Sequence, residues 1–161
     1  MNIVLIAHDN RKELMMEFCI AYKSILKEHD LFATAGTGTY IIENTGLNVQ
    51  RFSAGILGGE QQVKARIDLN EIDLLIYFRD PLIKNQDYDE VLLFRRCDMN
   101  NVPFATNVAT AEVLIKGLER GDLQWRELVR PPKYEPPEKP VKKIRTRRRK
   151  PKDESKREGN N

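Results

Sequence analysis

DLLIYF (residues 73–78) opens on one charge and then runs through five large apolar or aromatic side chains. A strand with only one covered face alternates apolar and polar residues, whereas a run without alternation expects cover on both faces. The stretch that follows, Arg79-Asp80-Pro81, ends it, because proline has no N–H to give to a neighbouring strand. A strand of this kind belongs to a parallel sheet sandwiched between helices, and the flanking segments agree.

Working outward, NIVLIA (2–7) is a second run of the same type. DLFAT (30–34), VQRFS (49–53) and PFATN (103–107) make three more short strands. Helical spacing separates them. Leu14, Met15, Phe18, Tyr22, Ile25 and Leu26 form one apolar stripe. AGTG (35–38) reads as a tight turn into a short helix near 39–44, and further helices are expected from Glu60 to about Leu69 and from Tyr88 to Asn100. TAEVLIKGL (110–118) opens the last helix. The expected fold is α/β, a single doubly wound domain with a five-stranded, mainly parallel sheet.

Charge divides the chain in two. Residues 130–161 hold 13 Lys/Arg against 5 Asp/Glu and six of the eight prolines, while residues 1–129 hold 14 against 19. The first segment has too little apolar surface to offset the entropy of ordering. The reading is a folded, mildly acidic domain at 1–129 and a disordered basic tail at 130–161. KKIRTRRRKPK (142–152) could make non-specific, salt-dependent contacts to nucleic acid. It lacks aromatic residues on which bases could stack. Cys19 and Cys97 fall inside helical patterns with no metal-binding spacing, and no apolar run nears the ~20 residues of a membrane span. A cytoplasmic protein is expected, with no membrane partner and no metal.

In a doubly wound sheet, ligands gather beyond the carboxyl ends of the strands. Five loops lie there: AHDNRK, TAGTG, SAGILGGE, RDPLIKNQDYDE and TNVAT. His8 is the imidazole able to reach them, since His29 falls at the opposite end of the sheet. Thr34, Thr37 and Gly38 bracket a strand-to-helix turn whose N–H groups suit an anion such as phosphate, and Lys12 could add a positive charge from the side. The acids Asp9, Glu60, Asp80, Asp87, Asp89 and Glu90 converge on the same end. A carboxylate among like charges is suited to abstracting a proton next to a carbonyl. The residues alone thus point to a small anionic metabolite and acid–base chemistry.

The ordered set LIAHDNRK, LFATAGTG, GGEQQV, DLLIYFRDPL and PFATNVATAE resembles methylglyoxal synthase over roughly residues 2 to 118. That resemblance implies a homohexameric lyase converting dihydroxyacetone phosphate to methylglyoxal and inorganic phosphate without a cofactor. It implies Glu60 as the base, with Asp9, Asp80 and Glu90 as further catalytic groups. It also implies substrate or phosphate contacts from His8, Lys12, Thr34, Ala35, Gly36, Thr37, Ala54, Gly55 and Asp87. The chain departs from the family pattern at several of these positions. Glu60 and Glu90 stand where the family has aspartates, and Asp87 where it has a second histidine. Gly36 takes the place of a middle threonine, and Ala54 that of a serine. A second reading follows from these departures: a regulatory module of the same fold that binds a phosphorylated metabolite without turnover.

Overall fold

The computed structural model describes residues 1–54, 58–83 and 88–129. Gly55, Asp87 and the 130–161 tail therefore lie outside the described residues. The strands are β1 (Asn2–Ala7), β2 (Asp30–Ala33), β3 (Val49–Arg51), β4 (Leu74–Phe78) and β5 (Phe104–Ala105). They form one sheet in the order β3-β2-β1-β4-β5, with every pairing parallel. The expected mainly parallel sheet is thus wholly parallel.

The helices are α1 (Lys12–Ala21), α2 (Lys23–Leu26), α3 (Ala35–Thr45), α4 (Gly59–Asp68), α5 (Tyr88–Met99), α6 (Val108–Arg120) and α7 (Trp125–Val129). The stripe expected as one first helix breaks at Tyr22, whose φ of −109° and ψ of 20° are not helical. The larger correction is at AGTG. It is not a turn leading into a helix near 39; it is the first turn of α3, with Thr34 in extended conformation as its cap.

The two faces of the sheet bury separate cores. Ile3, Leu5, Leu74, Ile76 and Phe78 point toward Met15, Phe18, Ile41 and Ile115 of α1, α3 and α6. Val4, Ile6, Leu75 and Tyr77 point toward Val63, Ile67, Leu93 and Cys97 of α4 and α5. This double cover is why DLLIYF and NIVLIA show no alternation. Each fully buried Leu or Ile contributes about 1.5–3 kcal/mol.

The same topology creates the site. The chain winds outward from β1 through β2 to β3 with its helices on one face. It then crosses back to lay β4 on the other side of β1, with α4 and α5 on the opposite face. The strand order therefore reverses between β1 and β4, which in such sheets opens a crevice at their carboxyl ends. His8 follows β1, and Arg79-Asp80 follows β4.

Candidate active site

A cleft of about 770 Å³ lies at this switch point, bordered by the ends of β1 and β4 and the starts of α3 and α4. Of the residues singled out from sequence, it gathers His8, Asp9, Lys12, Thr34, Gly36, Thr37, Ala54, Glu60 and Asp80. Ala35 and Glu90 are not in its lining. The Ala35 N–H is directed to the Ser53 carbonyl at 3.4 Å, tying α3 to the segment after β3.

One half of the cleft gathers a helix start and a lysine ammonium. Thr37 is almost fully buried, and its Oγ1 accepts the Ala7 N–H at 3.2 Å and donates to the Ala7 carbonyl at 3.4 Å. Thr34 Oγ1 donates to it at 3.3 Å. These bonds pin the start of α3 to the end of β1, leaving the first-turn N–H groups at the cleft without partners inside the helix. Lys12 reaches the same point from α1: a Cβ added to Gly36 would stand 2.9 Å from its Nζ. The space a side chain at position 36 would take is thus filled by the lysine ammonium. A cation beside the positive end of a helix is unfavourable alone, and both charges attract the same anion. Asp9 partly offsets Lys12 through a 2.6 Å ion pair. The carboxyl of Asp9, otherwise exposed, is held below its usual range mainly by that hydrogen bond.

The other half carries the titratable groups. Glu60 stands in the first turn of α4, and the two glycines before it have separate jobs. Gly58 caps the helix with φ 94°, a left-handed conformation other residues rarely take. A Cβ on Gly59 would lie 2.2 Å from the Ser53 carbonyl oxygen, so only glycine lets α4 start this close to β3. Gln62 fastens the same corner by accepting the Ser53 N–H at 2.9 Å.

Across from Glu60, the Asp80 N–H donates to His8 Nδ1 at 2.9 Å. A donor aimed at Nδ1 requires the lone pair there, which puts the ring proton on Nε2. Asp80 itself is held by the Leu82 N–H at 2.9 Å and by Asn10 Nδ2 at 2.6 Å. These bonds, the Leu82 N–H first, keep its carboxyl below the ordinary range. Asp80 thus acts as a brace for the corner after β4.

Glu90, expected as a catalytic group, sits elsewhere. Its side chain is buried and makes a 2.6 Å ion pair with Arg79, and the Arg79 guanidinium lies over the Phe94 ring at 5.8 Å. Its carboxylate ties the start of α5 to the end of β4. Asp89, one residue earlier, does line the cleft and pairs with Lys64 at 2.7 Å.

The sequence reading passed over Tyr77, Gln61 and Asn10, which also line the cleft. Tyr77 was hidden inside an apolar strand. The signal available was its position, one residue from the carboxyl end of the strand at the switch point. Both cysteines are buried, which pushes their thiols up to about 12 and leaves them protonated. Among the described residues, no three His, Cys, Asp or Glu side chains are gathered as a metal ion would need. Nor is any helix among them long and apolar enough to cross a membrane.

The fold and site together define an α/β domain in which a helix start flanked by a lysine faces a carboxylate across the switch point. A family model described as MGS-like domain matches residues 14–106. The chain is 57% identical over 132 residues to the methylglyoxal synthase of Caldicellulosiruptor saccharolyticus, covering 81% of this chain and 94% of the relative. It is 55% identical over 131 residues to that of Listeria welshimeri, covering 81% and 98%. The crystal structure of methylglyoxal synthase from Elizabethkingia anophelis NUHP1 matches with a TM-score of 0.67 at 34% identity, covering 71% of this chain and 76% of that one. The chain belongs to the methylglyoxal synthase family.

Proposed function

We propose that the protein is a methylglyoxal synthase, a lyase that converts dihydroxyacetone phosphate to methylglyoxal and inorganic phosphate. The observation that carries the reading is that Glu60, His8 and the Lys12-flanked start of α3 all line one cleft. The phosphate would take the N–H groups of α3 and the Lys12 ammonium, and this anchoring would place the three-carbon body between His8 and Glu60. Glu60 then removes a proton from the hydroxymethyl carbon. The negative charge moves onto the carbonyl oxygen, where the His8 Nε2–H can stabilise it. Collapse of this enediolate breaks the C–O bond to phosphate on the far carbon. Phosphate leaves with the bond's electron pair and takes up the proton that Glu60 removed. The enol that remains gains a proton at its methylene carbon as its hydroxyl gives one up, and becomes methylglyoxal.

Glu60 starts from a helix turn packed at Gly59 against the Ser53 backbone, which supports its placement as the base. A positioned general base is worth about 10²–10⁴-fold in rate. Glu60→Gln should therefore lower phosphate and methylglyoxal formation by about 10³-fold while inorganic phosphate still binds, as measured by coupled assay and calorimetry. A wild-type protein that binds phosphate but turns nothing over would make the chain a binding module. The homohexamer implied by the family resemblance belongs to this reading. It is supported by apolar side chains left exposed on separate helices, among them Ile20, Met99, Val113 and Leu128.

A further inference from the structure

We propose that Tyr77 is a positioning residue of this site, its phenol linking the Glu60 carboxylate to the His8 imidazole. The inference rests on the reading of Glu60 as the base. It starts from a residue that packing alone does not explain. Tyr77 is 2% exposed on an apolar face of the sheet, beside Val4, Ile6 and Leu75. Its ring packs edge-on against Phe94 at 5.5 Å, a contact phenylalanine would make as well. The hydroxyl is the part that needs a reason, because a buried O–H without partners is costly.

Among its partners are the two groups the reaction uses. His8 Nε2 lies 3.2 Å from Tyr77 Oη, and Tyr77 Oη lies 3.4 Å from Glu60 Oε1. The direction of the chain follows from its far end. The Asp80 N–H occupies the lone pair of Nδ1, so Nε2 carries the proton and donates to Oη. The phenol then has its own proton to give to Glu60. Backbone, imidazole, phenol and carboxylate are thereby ordered in one sense, with each donor facing an acceptor.

Both side-chain distances exceed the 2.5–3.0 Å of a tight O–H···O bond and the usual N–H···O length. Catalytic hydrogen bonds are commonly long before substrate arrives and shorten in the complex. The anchor is nevertheless firm, since Tyr77 pairs with Ile6 in the ladder between β1 and β4 and its ring is held between His8 and Phe94. Glu60, by contrast, has three side-chain torsions and starts from a helix end. Engaging Oε1 sets the direction of its carboxylate plane. The same hydroxyl holds the His8 N–H toward the cleft until a substrate oxygen takes it over.

The test is Tyr77→Phe, which keeps the ring and removes the oxygen, alone and combined with Glu60→Asp. Steady-state assays with dihydroxyacetone phosphate would be read beside thermal melts. The expected result is a kcat about 10-fold lower, with KM within 2-fold and Tm within about 2 °C of the parent. Glu60→Asp withdraws the carboxylate from the phenol but keeps a base. The two losses should therefore fail to multiply in the double variant. An unchanged kcat overturns the inference, as does a loss that comes with a large fall in Tm. Losses that multiply in full do the same, since Tyr77 would then act independently of Glu60. If the wild-type protein itself has no turnover, the reading of Glu60 as base falls first and takes this one with it.

Discussion

Two polar clusters sit at opposite ends of the same sheet, one closed within the interior and the other bordering a cleft. At the amino end, Arg126 of α7 is 1% exposed. Its guanidinium donates to the carbonyls of Asn101 and Ile72 and to Asn70 Oδ1, and it faces Asp73 at 3.5 Å. Asp73 in turn accepts the Asn2 N–H at 2.7 Å. At the carboxyl end, His8, Tyr77 and Glu60 are joined by contacts of 3.2 and 3.4 Å beside an open cleft. The amino-end cluster ties chain segments together in the interior. The carboxyl-end cluster borders open volume and is left able to meet a ligand. Burial and charge alone do not separate the two; the cleft beside one of them does.

The largest effect that would test this contrast is Arg126→Ala. It removes the cation facing the buried Asp73 carboxylate and cuts α7 loose, at a cost of about 3–5 kcal/mol. Tm should drop by about 10 °C, with kcat of the folded fraction unchanged. A large fall in kcat at temperatures where the variant is folded would mean the amino-end cluster is not purely structural.

Gly36→Ala should do the reverse. Its new Cβ meets only the end of the Lys12 side chain, so stability stays within about 0.5 kcal/mol. Displacing the ammonium from the start of α3 removes about 1 kcal/mol of attraction for an anion. KM should rise by about 3- to 10-fold, with kcat little changed. An unchanged KM would remove Lys12 from the phosphate site.

The smallest effect concerns His29, at the amino end beside β2. Burial, and then the charge of the N-terminal amine, lower its pKa from 6.5. The folded protein therefore prefers the neutral ring. Its contribution to stability is complete above 6.5 and is lost as pH falls below that value through the lowered one. Calorimetric melts between pH 7 and 5 should show a shallower decline in Tm for His29→Gln, with activity at pH 7 unaffected.

The strands were readable because burial on both faces removes alternation, as in DLLIYF and NIVLIA. The loops that line the cleft were readable because a parallel sheet places every strand-to-helix connection at one end. The start of α3 was not. Two glycines in AGTG argue locally for a turn, but Thr37 fastened to the Ala7 backbone and Gly38 pressed against Arg51 make it helical. Glu90 read as one more acid in the cluster, since nothing local shows that Arg79, eleven positions earlier, would take it out of the cleft. Tyr77 read as one more large side chain in a buried strand.

Fold class, strand ends and the set of loops from which a site could be drawn are legible along the chain. These depend on periodicity and on residues that end strands, which act within a few positions along the chain. The tertiary structure decided which groups in those loops face one another. It made Glu60, Tyr77 and His8 a chain, put the Lys12 ammonium in the space left by Gly36, and turned Glu90 into a brace. Such assignments depend on distances of about 3 Å between segments up to 72 residues apart, as in the bond from the Asp80 N–H to His8. Local propensity carries no information about them.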